Sequence, residues 1–306
     1  MSLNKERRIL VTGDAGFIGA PLVQHLVSFG HHLAVVDHFS TRGNRLPPET
    51  VCYHVDITSP DLSEVFAKER PHVVFHLAGP INLRKSVDDP AFERSSNIIG
   101  DIRNVLDAAR TSGVTRFVFV SSGGAICADA TLIPTPEDYP CAPKTVYGIA
   151  NLLIETYIGE YCRVHEMDYV IVRLGNVFGP GQWSTGLIPS VIRAFLKNEE
   201  LVLEGDGTAT RDFLFIDDAV DALSRATFGK KSHVSNAASG TEVCVNEILS
   251  MVLAYFDKKP SVRYTGIPPV AMRNALDITR IREELGWEPK VPVDDSVRRT
   301  FASLSH

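Results

Sequence analysis

The sequence predicts an α/β fold, a doubly wound parallel sheet followed by a smaller α/β lobe, and three observations predict it. Short apolar runs alternate with helix-length amphipathic stretches through the first half of the chain, the pattern of a parallel sheet covered on both faces. The first run, RILVTG, enters a glycine turn that opens a helix. The second run ends on an acidic residue, Asp37.

Taken in order, RILVTG is the first strand and FIGAPLVQHLVSFG a helix closed by Gly30. HLAVVDHF and VCYHVDIT are strands, DLSEVFAKE a helix, and HVVFHLAG the fourth strand. AFERSSNIIGDIRNVLDAARTSG is a long helix stopped at Gly113, RFVFVSSGG the fifth strand, TVYGIANLLIETYIGEYCRVH a second long helix and YVIVRLGNVFG the sixth strand. Residues 1–173 are therefore assigned to a dinucleotide-binding domain. Beyond residue 175 Pro and Gly cluster, and short helices (SVIRAFLKN, CVNEILSMVLAYF, ITRIREELGW) mix with short strands (LVLEG, DFLFI). Residues 174–306 are expected to form mainly the second lobe, with chain returning to the first domain around 209–245.

The 306 residues are 44% apolar and 22% charged, ordinary for a globular protein. A net charge of −6 gives no electrostatic footprint for nucleic acid. No apolar run reaches membrane-spanning length, and MSLNKERR leads into ILVTG with no apolar leader. Five scattered cysteines without a CxxC pair favour a reducing cytoplasm over a disulfide scaffold or a metal site.

VTGDAGFIG supplies Gly13, Gly16 and Gly19 between the first strand and the first helix. Glycines let backbone approach a pyrophosphate, and the helix N-terminus offers free N–H groups and a positive dipole end. Asp37 lies 18 residues beyond Gly19, where a carboxylate accepts from the ribose diol and repels a 2′-phosphate, so NAD is expected over NADP. Asp56 and Ile57, after the third strand, are placed to meet the adenine, with a turn cap as the other reading of Asp56.

Eight segments in register resemble the extended short-chain dehydrogenase/reductase family, the NAD-dependent nucleotide-sugar epimerases and dehydratases. They are VTGDAGFIG, HLAG, NIIGDIRNVLDAA, FVFVSSGGAICA, VYGIANLLIE, VRLGNVFGPGQ, GDGTATRDFLFIDDAVDAL and LDITRIREELGWEP. The resemblance implies a Rossmann domain in which Phe17 and Ile18 of the glycine turn, Leu77, Ala78 and Gly79 of HLAG, Asn97, Ser121, Tyr147 and Asn151 contact NAD. It implies hydride removal from a sugar carbon, usually C4, with a tyrosine, here Tyr147, as acid/base. It also implies a nucleotide-sugar substrate met by Asn176, Arg211 and Arg273, and a homodimer formed through two long helices around 94–112 and 147–165. Leu152, Leu153, Tyr157 and Tyr161 fit that seam or packing on the sheet equally well.

Three positions depart from the family pattern. The lysine of Tyr-x-x-x-Lys is Asn151, the Ser/Thr position falls on Gly123 beside Ser122, and the usual Val-Tyr-Gly is Ile126-Cys127-Ala128. Without an ammonium one turn away, the phenol is expected to stay near its ordinary value of about 10. Lys144 can reach back from the preceding loop or stay solvated. Cys127 can serve as a base or fill a small buried space. Ser122 can replace the missing hydroxyl only if the strand has ended, because neighbours on a strand point to opposite faces. Asp217 and Asp218 are read as caps of the following helix. Trp183 and Phe178 can flank a sugar or base ring, or simply pack. The expected activity is a nucleotide-sugar epimerase working through a transient 4-keto sugar, marginally preferred because Gly124-Ala125 stands where 4,6-dehydratases of the family carry Asp-Glu. A dehydratase with atypical acid/base residues, and a catalytically impaired NAD or sugar-nucleotide binder, are the alternatives.

Overall fold

The computed structural model describes residues 6–13, 16–37, 45–77, 98–182, 186–229, 232–256 and 260–305. The expectations at Ala78, Gly79, Asn97 and Trp183 lie outside the described residues.

The apolar runs form a seven-stranded sheet from β1 (Arg8–Thr12), β2 (His32–Asp37), β3 (Val51–His54), β4 (Val73–His76), β5 (Arg116–Ser122), β6 (Asp168–Leu174) and a later strand, His233–Ala237. The order is β3-β2-β1-β4-β5-β6, with the later strand beyond β6. β1 pairs in parallel with β2 (Ile9↔Leu33) and with β4 (Ile9↔Val73), so chain direction across the sheet reverses around it. That reversal leaves the carboxyl ends of β1 and β4 side by side, where Leu77 N–H donates to the Thr12 carbonyl at 2.9 Å.

α1 (Gly19–Ser28) buries Leu22, Val23 and Leu26 and stops where Gly30 takes φ 78°, its N–H closing on the Val27 carbonyl. α2 (Leu62–Glu69) and α3 (Ile98–Thr111) pack Phe66, Ile102, Val105 and Leu106 with Phe117 of β5 in one apolar cluster. Burial of side chains this size is worth about 2–3 kcal/mol each. β5 gives way at once to α4 (Gly123–Ile126), a single turn where continuing strand was expected. α5 (Val146–Val164) starts where the Thr145 hydroxyl accepts from Gly148 N–H at 3.0 Å.

The chain divides into two compact units. The first comprises Met1–Ser122, Pro143–Arg173 and Val220–Ser235; the second comprises Gly123–Ala142, Leu174–Ala219 and Asn236–His306. The expected boundary at 173 thus misplaces 123–142. This excursion belongs with the second unit because Thr135 pairs with Leu276 and exchanges backbone hydrogen bonds with Ala275 and Asp277.

The second unit holds β7 (Asn176–Phe178), α6 (Leu187–Leu196), β8 (Leu201–Leu203), β9 (Thr210–Arg211) and β10 (Phe213–Phe215). α7 (Ile216–Ala226) leads back to the first unit, whose last strand is β11 (His233–Ala237). There follow β12 (Val243–Cys244), α8 (Val245–Leu253), β13 (Val262–Tyr264), α9 (Thr279–Leu285) and α10 (Val293–Leu304). Its core gathers Phe178, Ile192, Phe195, Phe213, Ile248 and Val297. Asp218 does not cap α7; its carboxylate accepts from Lys290 and Val291 N–H and so ties down the chain before α10. Asp217 pairs with Arg299 at 3.5 Å. Phe178 sits in this core, 3% exposed, with its ring edge-on to Phe213 and Phe215, which is packing rather than a ligand wall.

Candidate active site

In the first unit, Gly13 follows β1 with φ 75°, a conformation glycine adopts without strain, and its N–H donates to the Val36 carbonyl. An added Cβ at Gly16 would make an ordinary 3.7 Å contact with the Gly13 carbonyl, so space alone does not demand glycine there. α1 then begins with Ile18 at its N-cap and no side-chain hydrogen bond there. The N–H groups of Phe17, Ile18 and Gly19 are left for an anion, whereas Ala20 N–H donates to the Gly16 carbonyl and Pro21 has none. Asp37 ends β2 beside this turn. These features fit a dinucleotide. Asp56 uses one carboxylate oxygen on Thr58 N–H at 2.8 Å, the turn cap considered above, while the Asn104 amide holds the Ile57 carbonyl at 2.6 Å. Asn104 was not singled out from the sequence; its position on α3 facing the turn after β3 is legible only in the fold.

Tyr147 lies in the first turn of α5, and Asn151 one turn on, 7% exposed. The Asn151 Nδ2 donates to the Tyr147 backbone carbonyl at 2.8 Å. Burial pushes the phenol above its ordinary value, and hydrogen bonds from the Asn151 and Ser122 side chains pull it partly back. Lys144 does not contribute to this shift. Ser122 is the last residue of β5, so the strand does end there, and its side chain is one of the two polar groups that lower the phenol.

The neighbouring Ser121 hydroxyl points elsewhere. It donates to Glu155 at 2.6 Å, and Glu155 is held by Arg173 of β6 at 2.7 Å, all three buried. Tyr147, Asn151 and Glu155 form one stripe at four-residue spacing on α5. β5 and α5 are thus fastened by the hydrogen bond from Ser121 to Glu155.

Cys127 is a correction. Its sulfur is joined to Cys141 in a disulfide, Cα–Cα 4.8 Å, so it offers no thiol for base catalysis, and the expectation of unpaired cysteines fails for this pair. The two lie close because α4 turns the chain back and the 123–142 excursion returns to α5. Cys52, Cys162 and Cys244 take part in no disulfide.

In the second unit, an added Cβ at Gly123 would overlap the Leu276 side chain, so the family's hydroxyl has no room at that position. At Gly124 it would lie 3.2 Å from Asn274 Oδ1 and 3.6 Å from Asn176 Oδ1. Asn274 is 2% exposed, and neither amide atom has a protein partner among the described residues, a costly arrangement unless a ligand or water supplies one. No periodic pattern in the chain marks Asn274.

Arg211 Nη1 donates to the Thr210 and Ala271 carbonyls at 2.7 and 3.0 Å, leaving the rest of its fork without a protein partner among the described residues. Burial lowers its pKa, countered by Asp129 and Glu204. Arg211 makes no ion pair with its neighbours Asp212 and Asp206: Asp212 accepts from Ser239, Gly240 and Leu276, and Asp206 from Thr208. Arg273 pairs with Glu242 at 3.0 Å and is 62% exposed, a solvated ion pair rather than a ready anion ligand. No cluster that could hold a metal ion occurs among the described residues.

A glycine turn at the switch point of a doubly wound sheet, with an acidic residue ending β2 and a serine on the helix-borne tyrosine, defines a dinucleotide-dependent enzyme of the short-chain dehydrogenase/reductase type. Comparison with known proteins narrows this. Residues 9–237 match the profile described as the NAD dependent epimerase/dehydratase family. The chain is 33% identical to a UDP-glucose 4-epimerase of Mycolicibacterium smegmatis, covering 96% of this chain and 97% of that protein. The UDP-glucose 4-epimerase of Thermotoga maritima, solved with UDP-glucose, superposes with a TM-score of 0.90 at 33% identity, over 96% and 97% of the two chains. The Thermus thermophilus UDP-glucose 4-epimerase, solved with NAD, superposes with a TM-score of 0.90 at 30% identity, over 97% and 98%. The chain belongs to the NAD-dependent epimerase/dehydratase family of nucleotide-sugar enzymes, and NAD is its cofactor.

Proposed function

We propose that this protein is a UDP-sugar 4-epimerase. The observation that carries the reading is the placement of Tyr147 and Asn151 on one stripe of α5 with Ser122 at the end of β5, the two polar side chains that lower the phenol although two family positions have changed. NAD, when bound, takes a hydride from the sugar and returns it to the opposite face. Tyr147 removes the proton of the oxidised hydroxyl and later gives it back, and the Ser122 hydroxyl orients that oxygen. The Asn151 Nδ2 holds the Tyr147 carbonyl, and its Oδ1 is suited to accept from a ribose hydroxyl. In the second unit, Asn176 and Arg211 are the groups suited to a nucleotide diphosphate, with the guanidinium fork matched to phosphate oxygens. Asn274 offers an unpartnered amide to a hydroxyl.

Elimination of water is disfavoured, because a carboxylate side chain at Gly124 would press on Asn274 and Asn176. The second reading, a binder with little turnover, is favoured by the raised phenol and the absence of a lysine. The two separate on one experiment. Wild type and Tyr147→Phe are incubated with NAD and UDP-glucose, and UDP-galactose is measured. Conversion lost in the variant supports the epimerase. Equal UDP-sugar binding with no conversion by wild type overturns it.

We further read the protein as a cytoplasmic homodimer. On α5, Val146, Ile149 and Leu153 are exposed at three- and four-residue spacing and form an apolar stripe. Tyr157 and Tyr161 pack instead against the core, with the Tyr161 hydroxyl donating to Asp107, so they do not belong to that stripe. Light scattering of wild type and Leu153→Glu tests it; a monomeric wild type refutes it.

A further inference from the structure

We propose that the Cys127–Cys141 disulfide is a redox-operated staple that fixes the sugar-side residue Asn274; the binding consequence rests on the function proposed above. The excursion 123–142 leaves the first unit after Ser122 and re-enters it at Pro143. The disulfide joins its outgoing and returning ends across 14 residues, close to both exits. Inside the loop it closes, the chain is fastened mainly to the segment 272–277, and also to Asn236, which donates to Glu137 and to the Thr135 carbonyl, and to Arg280 through Glu137. Asp129 Oδ1 accepts from Met272 N–H at 2.6 Å, Thr135 N–H donates to the Ala275 carbonyl at 2.8 Å, and Asp277 N–H donates to the Thr135 carbonyl at 2.9 Å. Thr131 and Tyr139 brace the loop across its middle. Asn274 lies at the centre of the fastened segment. The outgoing arm passes close to it at Gly124, where an added Cβ would lie 3.2 Å from its Oδ1, and to Leu276 at Gly123, where an added Cβ would overlap the side chain.

A closed ring restrains the loop, and through these bonds the 272–277 segment, more tightly than hydrogen bonds alone. Opening it requires an external dithiol. The Cys127–Cys141 S–S bond breaks, two electrons and two protons pass to its sulfurs, and the reductant closes its own disulfide. Two thiols remain, and Asn274 loses part of its pre-organisation.

The test compares wild type and Cys141→Ser, each held with and without dithiothreitol. Thiols are counted on the unfolded chain, amide exchange is followed over 272–277, and the Kd for UDP-glucose is measured by calorimetry. The expected count is three free thiols in unreduced wild type and five after reduction. Reduction is expected to speed exchange at 272–277 and to raise the Kd by about threefold or more. Cys141→Ser is expected to show the reduced behaviour in both conditions. Five free thiols in air-oxidised wild type, or exchange and Kd indifferent to reduction, overturns the staple. If UDP-glucose binds in neither state, the functional reading above fails, and exchange at 272–277 alone decides the staple.

Discussion

Replacing Asn151 with lysine puts an ammonium one helical turn from the Tyr147 phenol. At about 5 Å and an effective dielectric near 20, the attraction to a phenolate is about 3 kcal/mol, or about 2 pK units. The wild-type phenol starts above its ordinary value, because burial outweighs the hydrogen bonds of Asn151 and Ser122. Asn151→Lys removes one of those bonds and adds the larger Coulomb contribution, so the net shift is downward. The assay is kcat/KM for UDP-glucose against pH with saturating NAD, for wild type, Asn151→Lys and the uncharged, similarly long Asn151→Met. In Asn151→Lys the limb set by the basic phenolate is expected to move about 2 units toward acid. The neutral-pH gain stays below the corresponding 100-fold or so, since a more acidic phenol gives a weaker base. Asn151→Met is expected to move the limb slightly toward alkali. A limb unmoved in Asn151→Lys, or moved equally by lysine and methionine, refutes the assignment of Tyr147 as the titrating base.

Four other outcomes follow from the same geometry. Ser122→Ala removes a hydrogen bond that lowers the phenol, so its pH–rate limb is expected to move toward alkali and kcat to fall about 10- to 100-fold; an unchanged profile places Ser122 outside the chemistry. Gly123→Ser restores the family's hydroxyl only by displacing buried Leu276, and is expected to destabilise by about 1–3 kcal/mol without raising kcat, read from urea midpoints and turnover. Arg173→Met leaves the Glu155 carboxylate buried without its cation, and urea unfolding is expected to show a loss of about 3–5 kcal/mol; an unchanged midpoint shows the pair is not needed. His76 is fully buried, its ring nitrogen on the Thr12 hydroxyl at 2.7 Å, and burial lowers it from 6.5 to about 4. The unfolded chain therefore takes up this proton first as pH falls. The His76 contribution is whole above pH 6.5 and lost progressively down to about 4, at a total of about 3 kcal/mol. Urea midpoints of wild type and His76→Gln across that range should converge as pH falls.

Much of the first unit was legible because its strands are buried on both faces and so appear as apolar runs. β1, β2 and β4 have nearly every side chain buried. β11 escaped that signal because it carries Ser235 and Asn236 into the interior, where the Asn236 amide donates to the Thr135 and Asp277 carbonyls. α4 was hidden by its length, a single turn carrying two glycines. The glycine turn, Asp37, Tyr147 and Asn151 could be named because their spacing along the chain is their geometry. Asn274 and Asn104 could not, since each depends on segments far apart in sequence meeting, and the Cys127–Cys141 bond, spanning only 14 residues, depends on the turn of α4, which the sequence pattern hides. Arg273 shows the converse: a guanidinium in the right stretch of chain, drawn off to Glu242, a partner 31 residues away.

The departures from the family pattern differ in what they leave behind. Leu276 fills the space at Gly123, and the hydroxyl that cannot stand there is supplied one residue earlier, where β5 ends and Ser122 is released from strand alternation. That exchange conserves a hydroxyl on the phenol. The change at Asn151 conserves a hydrogen bond but not a charge. The buried cation nearest along the sequence pattern, Arg173, is neutralised by Glu155 within the same stripe and does not act on Tyr147. The phenol is therefore left with dipoles alone from the protein. Dipoles fixed within hydrogen-bond distance stabilise a phenolate less than an ammonium does, but they cost no buried charge when the site is empty. On this account orientation of Tyr147 survives intact while its acidity depends on what binds beside it, and the pH–rate limb of the bound enzyme should lie below the phenol's titration in the free protein.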